Sequence, residues 1–439
     1  MGASVGLLTD HYEMTMLSAA LRDGTAHVPC VFEVFARRLP EGRRYGVVAG
    51  TSRVVDAITS FGFEPAELQW LRVSGAIDDA TVDFLGRYRF SGRVDGYPEG
   101  EVFFPNSPIL TVESTFAEAI VLETVVLSIL NHDAAIAAAA ARMVTAAQGR
   151  PIIEMGSRRT HERAAMAAAR AAYLAGFAST SNLAAGLTYE IPTGGTAGHA
   201  FTLLHDDELA AFRSQVALLG PTTTLLVDTY DITSGIANAV AAAGQRLGAI
   251  RIDSGDLGVL AHLARAQLDA LGNHDTKIVF SGDLDEYAIA GLAAAPADVY
   301  GAGTAVVVGS GAPTAGLIYK LVEVDGRPVA KRSEHKVNLG GGKIALRAHR
   351  PTGTATEEIV VAGPERRREN EAERLLREDA GLRRVHETLI RDGEITSAGR
   401  VTLAQSRTRL RDMLRTLPWE GLALSKGEPA LATRIVHAT

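Results

Sequence analysis

Between residues 151 and 304 the chain repeats one pattern, a short apolar run ending in polar or glycine residues and then an Ala/Leu-rich helical stretch. The runs are "PIIEMG" (151–156), "GFASTSN" (176–182), "TTTLLVDTYD" (222–231), "GAIRIDSGD" (248–256), "TKIVFSGD" (276–283) and "ADVYGAGT" (297–304). Strands alternating with helices at this spacing pair in parallel through crossover helices. Their nearly unbroken apolar character fits strands buried on both faces. Between the first two runs, "THERAAMAAARAAYLAG" reads as a helix that starts at Thr160, carries Glu162 in its first turn and stops at Gly176.

Each run ends in chemistry: Glu154 and Arg158, Ser179 to Asn182, Asp228 and Asp231, Asp253 and Asp256, Ser281 to Asp283, and Gly301 to Thr304. The carboxyl ends of the strands form the active-site face of a (β/α) barrel, and an open doubly wound sheet uses the same ends. Six or seven strands before residue 320 favour an irregular or incomplete barrel. The flanks differ, with apolar and polar residues alternating between glycine turns, so the chain divides into 1–135, a barrel over 136–320, and 321–439. The two flanks are expected to join into one α/β domain. "ERRRENEAERLLRED" reads as a solvated helix or loop.

A chain of 439 residues with 44 basic and 51 acidic side chains has a net charge of −7, spread along its length. That argues against a nucleic-acid surface, which needs concentrated positive charge. Any bound anion must be met by a local cluster. Cys30 is the only cysteine, which removes intrachain disulfides and thiolate metal sites and suits a reducing cytoplasm. "MGASVGLLTDHYEMTML" lacks the basic start and apolar core of a signal peptide, and "AAIAAAAARMVTAA" is too short to span a bilayer. A cytoplasmic protein without a membrane role is expected.

Arg251, Asp253 and Asp256 fall within "RIDSGD". On a strand, Arg251 and Asp253 share a side and could bind an anion together with a ribose hydroxyl or a metal; a buried ion pair is the alternative. Glycines in "FSGD" and "YGAGT" free backbone N–H groups for a phosphate, and two such turns on successive strands occupy the place where barrels commonly bind one. Arg158 and Arg159 precede a helix, where guanidinium forks suit a carboxylate or diphosphate. His199 ends the glycine-rich "IPTGGTAGHAF". It is open to reading as a core, capping or surface residue, or as a nucleophile.

Taken in order, "TDHYEMTM", "EMGSRRTH", "GFASTSNLAAG", "IPTGGTAGHAF", "LLVDTYD", "RIDSGDL", "VFSGDLDEY", "YGAGTAVV" and "YKLVEVDGRPVAKRSEHK" resemble nicotinate phosphoribosyltransferases over residues 9 to 343. The resemblance implies an irregular type II phosphoribosyltransferase barrel against an α/β domain made from both chain ends. It also implies a homodimer that makes nicotinate mononucleotide and diphosphate from nicotinate and phosphoribosyl diphosphate, in NAD biosynthesis. ATP hydrolysis drives the reaction through phosphorylation of His199, a ligase-type coupling, with Mg²⁺ as cofactor. Carried over by motif, Tyr12, Arg158, Ser181 and Arg251 would contact nicotinate, Tyr12 in the neighbouring subunit's site. Arg158, Arg251, Asp253, Gly282, Gly301, Gly303, Thr304, Lys331, Ser333 and Lys336 would hold phosphoribosyl diphosphate. Asp228 and Asp253 would serve catalysis and Mg²⁺. Ser181 stands where nicotinamide-using relatives have an aspartate, and a neutral residue there favours the acid over the amide. Met155 replaces their ring-stacking phenylalanine, and Lys343 follows an unusually glycine-rich turn. A nicotinamide or other pyridine phosphoribosyltransferase without ATP coupling is the alternative enzyme, and a nucleotide-binding regulator the non-catalytic one.

Overall fold

In the computed structural model, which describes residues 4–331 and 339–438, the chain forms two compact units. One comprises Ala139–Pro313; the other joins Met1–Ala138 to Thr314–Thr439.

Each of the six apolar runs supplies one strand of the Ala139–Pro313 unit. They are β1 (Ile152–Glu154), β2 (Ser179–Thr180), β3 (Thr224–Leu226), β4 (Ala249–Ile252), β5 (Lys277–Phe280) and β6 (Val299–Ala302). All pair in parallel, in the order β2-β1-β6-β5-β4-β3. β2 and β3 do not pair with each other, so the sheet is an open, incomplete barrel, consistent with the irregular barrel expected. Residues 183–219 intervene between these edges as three helices and the glycine-rich stretch, which runs beside β2 through a Thr180–Thr193 bridge. Leu225, Ile250, Ile278 and Tyr300 are fully buried, which accounts for the apolar runs.

The crossover helices start on side-chain caps. Asp231 accepts from Ser234 N–H at 2.8 Å to begin Ile232–Ala243, and Asp256 from Val259 N–H at 3.2 Å to begin Leu257–Ala270. These two aspartates, read from sequence among the chemical groups of the strand ends, hold helix N-termini. The helix expected from Thr160 spans Glu162–Leu174 and is capped by His161.

The second unit is built on a seven-stranded antiparallel sheet in which Pro29–Ala36 pairs with both Leu110–Thr115 and Leu317–Val324. A four-stranded sheet from Lys343–His349, Ala355–Ala362, Leu382–Arg384 and Ala432–His437 completes it, with the charged segment as the helix Glu365–Glu378. All but the last residue of the alanine-rich run lies within a 24-residue helix, Glu123–Ala146, so it is part of a longer apolar helix than its own length suggested. By length and composition alone the helical stretch 116–146 could cross a membrane, yet 61% of its most apolar window is buried inside the protein. Core helices pass the same test.

Candidate active site

The carboxyl ends of β3, β4 and β5 bring Asp228, Arg251, Asp253 and Ser281 together. Ser281 Oγ accepts from Arg251 Nε at 2.7 Å and donates to Asp253 Oδ1 at 2.6 Å, while an Arg251 terminal nitrogen lies 3.4 Å from the same oxygen. Burial pushes the Asp253 carboxyl up, but the Ser281 hydroxyl and then Arg251 outweigh it and hold the group below the usual aspartate range. Asp253 is therefore an anion at neutral pH. On the adjacent strand end, Asp228 Oδ2 accepts from Asp253 N–H and from Ser254 Oγ, both at 2.8 Å. Its Oδ1 is buried and makes no hydrogen bond.

Two cavities open around this group. The smaller, about 80 Å³, is lined by Arg158, Arg251, Asp253, Gly282, Gly301, Gly303 and Thr304, together with Arg159, Ser281 and Asp283. At Gly301 an added Cβ would lie 2.8 Å from Met155 Sδ and 3.1 Å from Ser281 Cβ, so a side chain there would displace Met155 at the border of the cavity. The larger, about 320 Å³, is lined by Arg158, Ser181, Thr196 and Arg251 on its polar side and by Ile153, Thr224 and Val279 from the sheet. Arg158, Arg251 and Met155 border both, so one flat acid and one phosphate could share the same two guanidinium groups.

His199 is the first residue of the short helix His199–Leu203, behind Gly198. Its Nδ1 lies 3.1 Å from Thr229 Oγ1, and its Nε2 lies 4.0 Å from the unpartnered Asp228 Oδ1. With its side chain 41% exposed, it is neither a core histidine nor a cap. His205 differs, its Nδ1 engaged by the Phe201 carbonyl at 2.8 Å.

Comparison with known proteins gives this geometry a family. The nicotinate phosphoribosyltransferase pncB1 of Mycobacterium tuberculosis is 58% identical over 441 aligned residues, covering 99% of this chain and 96% of the relative. This chain belongs to the nicotinate phosphoribosyltransferase family. The Bacillus subtilis nicotinate phosphoribosyltransferase is 39% identical over 78% of this chain and 75% of its own. The family's N-terminal domain model matches residues 7–131. At the level of fold, human nicotinic acid phosphoribosyltransferase superposes with a TM-score of 0.79 at 24% identity, covering 98% of this chain and 97% of that one. A Pyrococcus furiosus structure described as a nicotinate-nucleotide pyrophosphorylase gives 0.77 at 24% identity, covering 94% and 95%. The type II phosphoribosyltransferase architecture follows.

Other residues singled out by the family motifs lie elsewhere. Tyr12, on the helix His11–Asp23, and Lys331 belong to the other unit, where both are exposed. Partial burial and then Glu123 push the Tyr12 phenol well up, so it stays a neutral hydroxyl. Ser333 and Lys336 lie outside the described residues. Lys343 is buried, paired with Glu33 and donating to the Gly341 carbonyl at 2.9 Å, which makes it a structural ion pair. Glu154 is a brace rather than a mouth acid: it accepts from Gly156 N–H and from Thr180 Oγ1, and burial raises its pKa. Sequence reasoning missed the linking role of Ser281 and the contact of Thr229 with His199. The only signal for either was its place inside a strand-end motif, "FSGD" for Ser281 and "LLVDTYD" for Thr229.

Proposed function

We propose that this chain transfers the phosphoribosyl group of phosphoribosyl diphosphate to nicotinate, forming nicotinate mononucleotide and diphosphate for NAD synthesis. The observation that carries this is that Arg158 and Arg251 line both cavities, beside an ionised Asp253 and glycine turns. Nicotinate's carboxylate would meet the arginines, with Ser181 adding a neutral contact where a carboxylate would repel it. The 5′-phosphate would sit at Gly282, Gly301, Gly303 and Thr304.

The pyridine nitrogen attacks the anomeric carbon as the bond to diphosphate breaks, and positive charge builds on the ribose. Asp228 and Asp253 stabilise that charge through the field of their carboxylates. No general base is required, because the pyridine nitrogen is unprotonated at neutral pH. Among the described residues no three His, Cys, Asp or Glu side chains converge as a metal cage. A magnesium ion would therefore take most of its ligands from substrate phosphates and water, with the unpartnered Asp228 Oδ1 and Asp253 as its protein oxygens. Its chemistry is to neutralise the leaving diphosphate.

ATP phosphorylates His199 in this reading, and the phosphohistidine favours productive binding until its hydrolysis resets the site. The protein works in the cytoplasm as a homodimer in which Tyr12 reaches the pyridine ring of the neighbouring subunit's site. The test supplies purified protein with Mg²⁺, phosphoribosyl diphosphate and either nicotinate or nicotinamide, with and without ATP, and identifies the mononucleotide by mass. Nicotinate mononucleotide formed faster with ATP supports the reading. Conversion of nicotinamide alone overturns the role given to Ser181, and no product from either base overturns the enzyme assignment.

A further inference from the structure

An imidazole has two nitrogens, and the one that attacks phosphorus is the one whose lone pair is free. Nδ1 of His199 is engaged, 3.1 Å from Thr229 Oγ1. Nε2 has Asp228 Oδ1 at 4.0 Å, beyond hydrogen-bond range, and the ring is partly open to solvent. Thr229 follows Asp228 directly, on backbone held by the Val227 N–H to Arg251 carbonyl bond at 3.1 Å, so its hydroxyl is presented from an anchored strand end.

We propose that Thr229 is a positioning residue that directs phosphoryl transfer from a nucleoside triphosphate to Nε2 of His199. This rests on the reading that ATP phosphorylates His199. With Thr229 Oγ1 accepting from Nδ1–H, the Nε2 lone pair attacks the γ-phosphorus. The Nε2–P bond forms, the P–O bond to the β-phosphate breaks, and its electron pair leaves on the nucleoside diphosphate. The ring then carries a positive charge facing Asp228 Oδ1, until the Nδ1 proton passes to solvent. Without the Thr229 hydroxyl the ring can rotate and offer either nitrogen.

The experiment incubates wild type, Thr229→Ser, Thr229→Val, Thr229→Ala and His199→Ala with Mg²⁺ and ATP in the absence of pyridine base. Alkaline digestion and separation of the two phosphohistidine isomers then give the ratio of Nε2 to Nδ1 phosphate. Wild type and Thr229→Ser are expected to carry Nε2-phosphohistidine, and His199→Ala none. The ratio is expected to fall about tenfold in Thr229→Val, the scale of one hydrogen bond, and Thr229→Ala gives the same reading if the valine protein does not fold. Wild-type phosphate on Nδ1, or an unchanged ratio in the valine and alanine variants, overturns the role of Thr229. Absence of phosphohistidine from wild type overturns the underlying reading of His199 instead.

Discussion

The Asp253 carboxyl is held below the usual aspartate range by the Ser281 hydroxyl, ahead of Arg251, against the opposing effect of burial. Because its folded pKa is depressed, its anionic form prevails above that pKa and is lost as pH falls through it. Ser281→Ala removes both the hydrogen bond to Asp253 and the acceptor for Arg251 Nε. The acid limb of the kcat/KM profile is expected to move to higher pH, with a loss of about tenfold at neutral pH for one charge-assisted bond. An unmoved limb would show that Asp253 is not the group titrating. Ser181→Asp tests the other end of the site: a carboxylate there should cut kcat/KM for nicotinate at least about tenfold while sparing nicotinamide. Competing-substrate assays read the ratio directly. Arg158, Arg251 and Asp253 were legible in sequence because charged residues at strand ends are scarce and specific. The roles of Ser281 and Thr229 were not, since a hydroxyl beside a strand is commonplace and its partner comes from another part of the chain.

The strands themselves were the most legible elements, because burial on both faces leaves a long apolar signature that needs no knowledge of partners. The sheet order was less so. β2 has only Ser179 and Thr180 paired within "GFASTSN", and the opening between β2 and β3 arises from the insertion of residues 183–219 rather than from any single motif. Asp231 and Asp256 show how position decides role: each precedes a helix, where an aspartate caps, while Asp253 sits nearer its strand and lines the smaller cavity, and Asp228 is buried and accepts from the Asp253 N–H. How tightly a crossover helix holds its strand end is testable at Gly235. A Cβ there would lie 2.2 Å from the Val227 carbonyl oxygen, a backbone atom next to Asp228. Gly235→Ala is expected to lose about 1–3 kcal/mol of stability in urea unfolding, because backbone has to shift to admit the methyl group. The same shift disturbs Asp228, so kcat should fall in the folded fraction as well. A variant as stable and active as wild type would mean that the helix moves without the strand.

At the scale of the whole chain, the unit assembled from both termini depends on a buried charge network that no local sequence pattern could reveal. Fully buried Arg347 donates to Glu358 at 2.7 and 2.9 Å and to the Val102 carbonyl at 2.8 Å, and pairs with Glu101 at 2.5 Å. Glu101 also pairs with Arg383 at 2.8 Å, so residues from the N-terminal segment are tied to strands 246 and 282 positions later. Burial pushes the Glu101 carboxyl up, but Arg347 and then Arg383 prevail and hold it below the usual glutamate range. Its contribution to stability is thus present above the unfolded pKa of about 4.3 and lost as pH falls through the lower folded value. Arg347→Met leaves two carboxylates buried without this partner, at a cost of about 3–5 kcal/mol. The deficit against wild type, measured by urea unfolding across pH, is expected to be greatest near neutrality. It should narrow in acid, because Glu101 in the variant takes up its proton at higher pH than in the wild type, and a neutral glutamic acid no longer needs the arginine. A deficit independent of pH would assign the loss to the packing of the Arg347 side chain, which also lies over the Phe104 ring at 5.3 Å, rather than to its charge.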